Sequence, residues 1–298
     1  MVSNEMRAAL DRLWMMRESA ERRAPANLTE SRAAFAPAGA VHPIPDDVAV
    51  TQLTAGGVAA YWLDAAGVHP DRVLLFLHGG GYQLGSLRSD GELAARLGRA
   101  SGMRVLFAEY RLAPEHPFPA AIDDTTAVWR WLVTQAGART VAVAGDSAGG
   151  GLAVALLVEC RDAALTAPAA AVLMSPTVDL TGSGRSMSER VGEDPVSTPA
   201  LLERLAQDYL AGADPRTPLA SPLFADLRAL PPILILSGSA DLLLSDSERL
   251  AQAAKNAGTE VTLEIGEGLP HVYPLLLGTP EAAAAITRIG EFLRDRAG

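Results

Sequence analysis

From residue 72 to residue 268 the chain repeats one arrangement: a short apolar run, a polar or glycine-rich stretch, then apolar positions at helical spacing. RVLLFLH (72–78), RVLFAEY (104–110), TVAVAG (140–145), AAVLMS (170–175), PILILSGS (232–239) and VTLEIGEG (261–268) read as strands. ELAARLGRAS (92–101), AAIDDTTAVWRWLVTQ (120–135), the apolar segment after Ser147, SERLAQAAKNAG (247–258) and PEAAAAITRIGEFLRDR (280–296) read as helices. Two further runs, VAVTQL (48–53) and VAAYWL (58–63), meet at a Gly56–Gly57 turn and bring the strands to eight. Strands that are apolar throughout and alternate with helices predict an α/β fold, a mostly parallel eight-stranded sheet with helices on both faces.

Two regions break the rhythm. Residues 4–22 place Met6, Leu10, Leu13 and Trp14 at helical spacing, and a Pro/Ala-rich stretch follows to about Pro45. Residues 177–230 contain no clear strand; TGSGRSMSERVGEDP (181–195) reads as loop and PALLERLAQDYLAG (199–212) as an amphipathic helix. The pattern predicts one catalytic domain over residues 46–298 with a small helical cap, drawn from residues 1–45 and from the 177–230 insertion, over the carboxyl ends of the strands. Trp14, Met15, Leu201, Leu202 and Leu205, with Tyr82, are the candidate apolar lining of a substrate pocket; packing of cap on core explains the same side chains equally well.

Composition narrows the partners. The 298 residues are 49% apolar and carry a formal charge of −10, with a pI near 5.0. No general basic footprint exists, which argues against a nucleic-acid partner. Cys160 is the lone cysteine, so no intrachain disulfide forms. The N-terminus lacks a signal-peptide core, and no stretch reaches the ~20 apolar residues of a membrane span. The reading is a chain without a membrane span, working in the cytoplasm.

The chemistry gathers at strand ends. Gly145-Asp146-Ser147-Ala148-Gly149 follows one strand and opens a helix, the setting of a nucleophile elbow. A branched side chain at Gly145 or Gly149 would crowd the turn, and the helix N-terminus favours a developing anion. The rival is an ordinary glycine-rich turn. HGGGY (78–82) follows the strand RVLLFL, and its glycines let backbone N–H groups approach a substrate oxygen. Gly80 and Gly81, with the N–H of Ala148, are the candidate oxyanion hole, while His78 and Gly79 organise the loop. No Lys-Ser/Thr follows these glycines, which disfavours a phosphate loop. Of five histidines, His271 in GEGLPHVYP stands just after the last strand and is the candidate base. His116 lies in a Pro-rich turn with a packing role, and His42 and His69 lie in surface segments. Asp241, at the end of the penultimate strand, is the candidate orienting carboxylate; Asp246 is the alternative, with helix capping as its simpler explanation.

With these segments assembled, the chain resembles the hormone-sensitive-lipase-like branch of the α/β-hydrolases, the bacterial family IV esterases. HGGGY, YRLAPEHPFPAAIDD, GDSAGGGLA, SPTVDLT, DLLLSDS and LPHVYP carry the resemblance, from about Asp71 to the C-terminus. It implies the α/β-hydrolase fold and a carboxylesterase acting on short-acyl, small-molecule esters, with no cofactor and no metal. It also implies a triad of Ser147, Asp241 and His271, oxyanion donors at Gly80, Gly81 and Ala148, and structural roles for Arg111 and Glu115. Glu109 stands where the family usually has Asp, and Thr177 where it often has Trp. The resemblance and the last strand, as an exposed edge, allow a homodimer. The rivals are a hydrolase of another acyl bond (amide, thioester or lactone) and a non-catalytic small-molecule binder. A histidine base implies activity that falls on the acid side near pH about 6.5.

Overall fold

Side chains along the third strand point alternately to two different cores. Val73, Leu75 and Leu77 join one buried cluster, and Leu74 and Phe76 join the other. That alternation is the two-residue period of a strand buried on both faces. The computed structural model describes residues 2–22, 27–40 and 42–297. Its strands are β1 (Ala49–Ala55), β2 (Val58–Asp64), β3 (His69–Leu77), β4 (Met103–Ala108), β5 (Thr140–Asp146), β6 (Ala171–Met174), β7 (Ile233–Gly238) and β8 (Val261–Gly266). They form one sheet in the order β1-β2-β4-β3-β5-β6-β7-β8. β1 and β2 pair antiparallel, as do β2 and β4; every other pairing is parallel. The chain therefore has the eight-stranded, mostly parallel sheet of the α/β-hydrolase fold.

The helices divide between the faces. Helices α4 (Ala120–Gln135), α5 (Ala148–Asp162) and α8 (Leu244–Asn256) bury Trp129, Leu156 and Leu250 in the first cluster. Helices α3 (Leu87–Ser101) and α9 (Pro280–Ala297) bury Leu93, Leu97, Ile289 and Leu293 in the second, where Phe76 and Phe107 stack with centroids 5.5 Å apart. Helix α1 (Asn4–Glu21) is capped by Ser3, whose hydroxyl accepts the Met6 N–H. Ser3 also donates from its N–H and its hydroxyl to Glu281, at 2.6 and 2.8 Å, which ties α1 to the start of α9. No helix among the described residues is long and apolar enough to cross a membrane.

Several boundaries differ from the sequence reading. The Pro/Ala-rich stretch holds a helix, α2 (Leu28–Ala40); alanine's helix propensity prevails there, while residues 23–26 and 41 lie outside the described residues. Between residues 177 and 230 a short helix α6 (Ser186–Glu189) interrupts the expected loop, and α7 (Pro199–Leu210) is capped by Thr198. Helix α8 begins three residues before SERLAQAA, so Asp246 lies in its first turn and caps nothing; its carboxylate instead accepts the N–H groups of Val178 and Asp179, both at 3.0 Å. β3 starts as early as His69, which is exposed, and His116 is exposed instead of packed.

Phe76→Ala is expected to cost about 3–5 kcal/mol, since the ring is fully buried against Phe107 between sheet and helices. A urea unfolding curve with an unchanged midpoint would contradict this placement.

Candidate active site

The site starts from a backbone strain. Ser147 sits between β5 and α5 with φ 49° and ψ −118°, a region that non-glycine residues rarely occupy. Its N–H donates to the Met174 carbonyl at 2.8 Å, and its carbonyl accepts the N–H groups of Gly151 and Thr177. These bonds pin the turn between β6 and the helix. A Cβ on Gly145 would run into the carbonyl of Gly149, and one on Gly149 into the carbonyls of Leu77 and His78. Strand and helix thus meet with no room for a side chain, and the hydroxyl projects above the sheet.

The loop after β3 faces it. The Gly79 N–H is taken by Asp146 Oδ1 at 2.9 Å. Among the described residues no acceptor takes the N–H of Gly80 or Gly81, and the Ala148 N–H opens α5, where first-turn donors have no helical partner. His78 is fully buried and stacks on Tyr110, centroids 4.4 Å apart. Its Nδ1 lies 2.8 Å from the Gly79 carbonyl, which only accepts, so the proton is on Nδ1. Burial lowers its pKa to about 4 against that hydrogen bond, and Tyr110 Oη donates to the His78 carbonyl at 2.6 Å. A neutral, wedged ring therefore sets the loop.

His271 arrives on the turn after β8. The next residue, Val272, takes φ 46° and donates its N–H to Ser175 Oγ at 3.0 Å. His271 Nε2 lies 2.9 Å from Ser147 Oγ, and Nδ1 lies 3.0 Å from Asp241 Oδ1. Asp241 is fully buried; its Oδ1 also accepts the Leu243 N–H at 2.7 Å, and its Oδ2 lies 3.4 Å from Ser237 Oγ. The sequence alternatives are brought apart: Asp241 meets His271, whereas Asp246 pairs with Arg249 at 2.9 Å. In this row the serine proton can pass to Nε2 while Asp241 holds the tautomer.

Burial works to lower the pKa of His271, but the charge and hydrogen bond of Asp241, with Asp194 and Asp146 behind it, prevail and raise it to about 9. Burial, and then the charge of Asp90, also push the Asp146 carboxyl well above its usual range. Burial lifts Asp90 to about 7, the Ser89 hydrogen bond opposing and Glu109 adding to the rise.

A cavity of about 1290 Å³ opens over this row. Tyr82, Leu201, Leu202 and Leu205 line it, as the sequence suggested, but Trp14 and Met15 do not. Leu13 and Met16 take their place on α1, while Met15 is 68% exposed and the Trp14 ring lies under the Arg17 guanidinium. His42, read as a surface residue, also lines the wall. The sequence reading assigns no role to Asp194, Ser175 or Asp90, which reach Leu242, Val272 and, through charge, Asp146 across the chain. Arg111 and Glu115 make ion pairs with Asp124 and Arg32, at 2.7 Å each. Cys160 is buried and free, its thiol pushed up to about 12 by burial.

Strand order, elbow and rim define a class. The chain belongs to the α/β-hydrolase fold family, whose family model matches residues 74–275, and within it to the hormone-sensitive-lipase-like branch. It is similar to the acetyl-hydrolase of Streptomyces hygroscopicus, 46% identical over 251 residues and 83% of each chain. It is also similar to an esterase of Acinetobacter venetianus, 34% identical over 224 residues and 74% of each chain. A crystal structure of an esterase from the bacterial hormone-sensitive lipase family superposes with a TM-score of 0.95 at 40% identity, covering 100% of both chains.

The base must be neutral to take the serine proton. A pKa raised to about 9 leaves it protonated below that pH, so the acid limb moves alkaline of the ordinary histidine value. Labelling of Ser147 by a fluorophosphonate is expected to accelerate with pH through about 9. A rate already level at pH 7 would contradict the raised value.

Proposed function

We propose that this protein is a carboxylesterase that hydrolyses short-acyl esters of small molecules through an acyl-enzyme on Ser147. The observation that carries the proposal is the continuous hydrogen-bonded row Ser147–His271–Asp241 beneath unclaimed N–H groups. His271 Nε2 takes the Ser147 proton as Oγ bonds to the ester carbonyl carbon. The carbonyl oxygen becomes an oxyanion between the N–H groups of Gly80, Gly81 and Ala148. The tetrahedral adduct collapses, the C–O bond to the alcohol breaks, and His271 gives that alcohol its proton. Water then repeats the cycle on the acyl-enzyme and releases the acid.

Short acyl groups fit the wall beside the nucleophile. Leu205 of α7 presses on the Cα of Gly81, so that even a Cβ there would clash with its methyls. The Streptomyces relative is an acetyl-hydrolase, in keeping with this. In the same proposal α1, α2, α6 and α7 act as the cap over residues 46–298. The open edge of β8, with Ile265 44% exposed, serves as a homodimer surface, and the lone buried thiol suits residence in the cytoplasm.

Ser147→Ala is expected to lower turnover of p-nitrophenyl butyrate by about a thousandfold or more, with circular dichroism unchanged. Substantial retained activity would remove Ser147 as nucleophile, and faster turnover of matched amides or thioesters would overturn the ester assignment. Leu205→Ala is expected to raise the ratio of octanoate to acetate hydrolysis by about tenfold. An unchanged ratio would mean that another wall sets the acyl length.

A further inference from the structure

We infer that Asp194, carried by the segment between α6 and α7, is a positioning residue for His271: it fixes the turn that bears Asp241 and stabilises the imidazolium formed when Ser147 loses its proton. The inference rests on the acyl-transfer reading above.

The first support is burial. Asp194 is fully buried, although Val191 and Val196 on either side of it are 58% and 42% exposed. A carboxylate withdrawn from water inside an otherwise exposed loop needs partners that repay its desolvation. Its Oδ1 accepts the N–H groups of Val196 at 2.8 Å and Ser197 at 3.4 Å, and its Oδ2 accepts the Leu242 N–H at 3.2 Å. Backbone N–H donors in this number favour the ionised form.

The second support is which N–H groups are used. Leu242 donates to Asp194, and the next residue, Leu243, donates to Asp241. Successive amides of one turn therefore hold both carboxylates, and Asp194 ties the 191–197 loop to the turn that bears Asp241. The loop is fixed in turn from the N-terminal helix, since Arg17 of α1 donates to the Asp194 carbonyl at 2.7 Å and to the Ser197 carbonyl at 3.4 Å.

The third support is charge. Three carboxyl groups act on His271: Asp241 from the turn after β7, Asp194 from the cap loop and Asp146 from the end of β5. Burial and then Asp90 push the Asp146 carboxyl well above its usual range. Burial raises the Asp194 carboxyl above its usual range, the His271 charge opposing the rise and Asp241 adding to it. After Asp241, Asp194 is the carboxyl that most favours the charged imidazole.

Asp194→Asn keeps the shape and removes the charge. The pH dependence of kcat/KM for p-nitrophenyl butyrate, and of Ser147 labelling by a fluorophosphonate, is measured on it and on the wild-type chain. The acid limb is expected to move to lower pH by about half a unit or more in both readouts, because one anion no longer favours the protonated base. kcat falls about tenfold while KM holds, as for an interaction made in the transition state. If Asp194→Asn does not fold, Arg17→Ala, which frees the loop, is expected to move the limb in the same direction by less. A limb that stays in place, whether or not kcat falls, overturns the inference and leaves Asp194 a structural residue. A wild-type chain that labels normally but turns over no ester sinks the esterase reading instead, and the labelling limb still decides the role of Asp194.

Discussion

The contact between His271 and Asp241, 3.0 Å long, is where three separate crossovers of the chain have to agree. Ser147 follows the end of β5, Asp241 the end of β7 and His271 the end of β8. They share one rim because these strands are parallel and their ends are in register: Asp146 pairs with Met174, and Gly238 with Gly266. A slip of a single residue would displace a strand by about 3.3 Å. That exceeds the tolerance of a hydrogen bond several times over. The buried sheet, with hydrophobic side chains on both faces, is therefore what gives the row its geometry. The strained Ser147 backbone persists because the sheet and α5 over-determine it.

The same dryness acts with opposite signs on neighbouring groups. Burial lowers the pKa of His78 to about 4 and raises that of Asp146, so it favours the uncharged form of each. A charged Asp146, bonded to the Gly79 N–H, would place an anion beside the spot where an oxyanion must form. His271 runs against the trend, because Asp241 and Asp194 favour its charged form. The raised pKa favours the imidazolium, the form His271 would take on accepting a proton from Ser147.

Ser147, Asp241 and His271 were legible in the sequence because each follows an apolar run that had to be a strand, and because the elbow's glycines have a steric reason. The eight strands were legible for the same reason: continuous burial leaves a continuous apolar pattern. Helix α2 was not, since a Pro/Ala-rich stretch carries no amphipathic stripe. On α1 the helix was foreseen but not its rotation. Each residue turns about 100°, so taking Trp14 and Met15 in place of Leu13 and Met16 amounts to an error in phase. That phase depends on what α1 packs against. Asp246 was misread as a cap because a helix start was placed three residues late. The reach of Asp194 to the Leu242 N–H, 48 residues away, and of Ser175, within SPTVDLT, to the Val272 N–H, 97 residues away, was not legible.

Other long-range contacts tie α1, α2 and α7 to the loops around Ser147 and His271. Arg32 of α2 donates to the carbonyls of Gln83 and Ala113 and grips Glu115, so it binds the residues that follow the oxyanion loop. Gln83 in turn donates to Asp208 of α7 at 3.0 Å, while Leu205 of the same helix rests on Gly81. Arg17 of α1 holds the Asp194 loop. One set of contacts reaches the loop that carries the unclaimed Gly80 and Gly81 N–H groups, and the other reaches, through Asp194, the turn that carries Asp241. Movement of these helices would therefore disturb, on the acyl-transfer proposal, both the oxyanion and the imidazolium. A pocket wall attached in this way cannot be reshaped for a larger substrate without affecting the rate of the chemistry it covers.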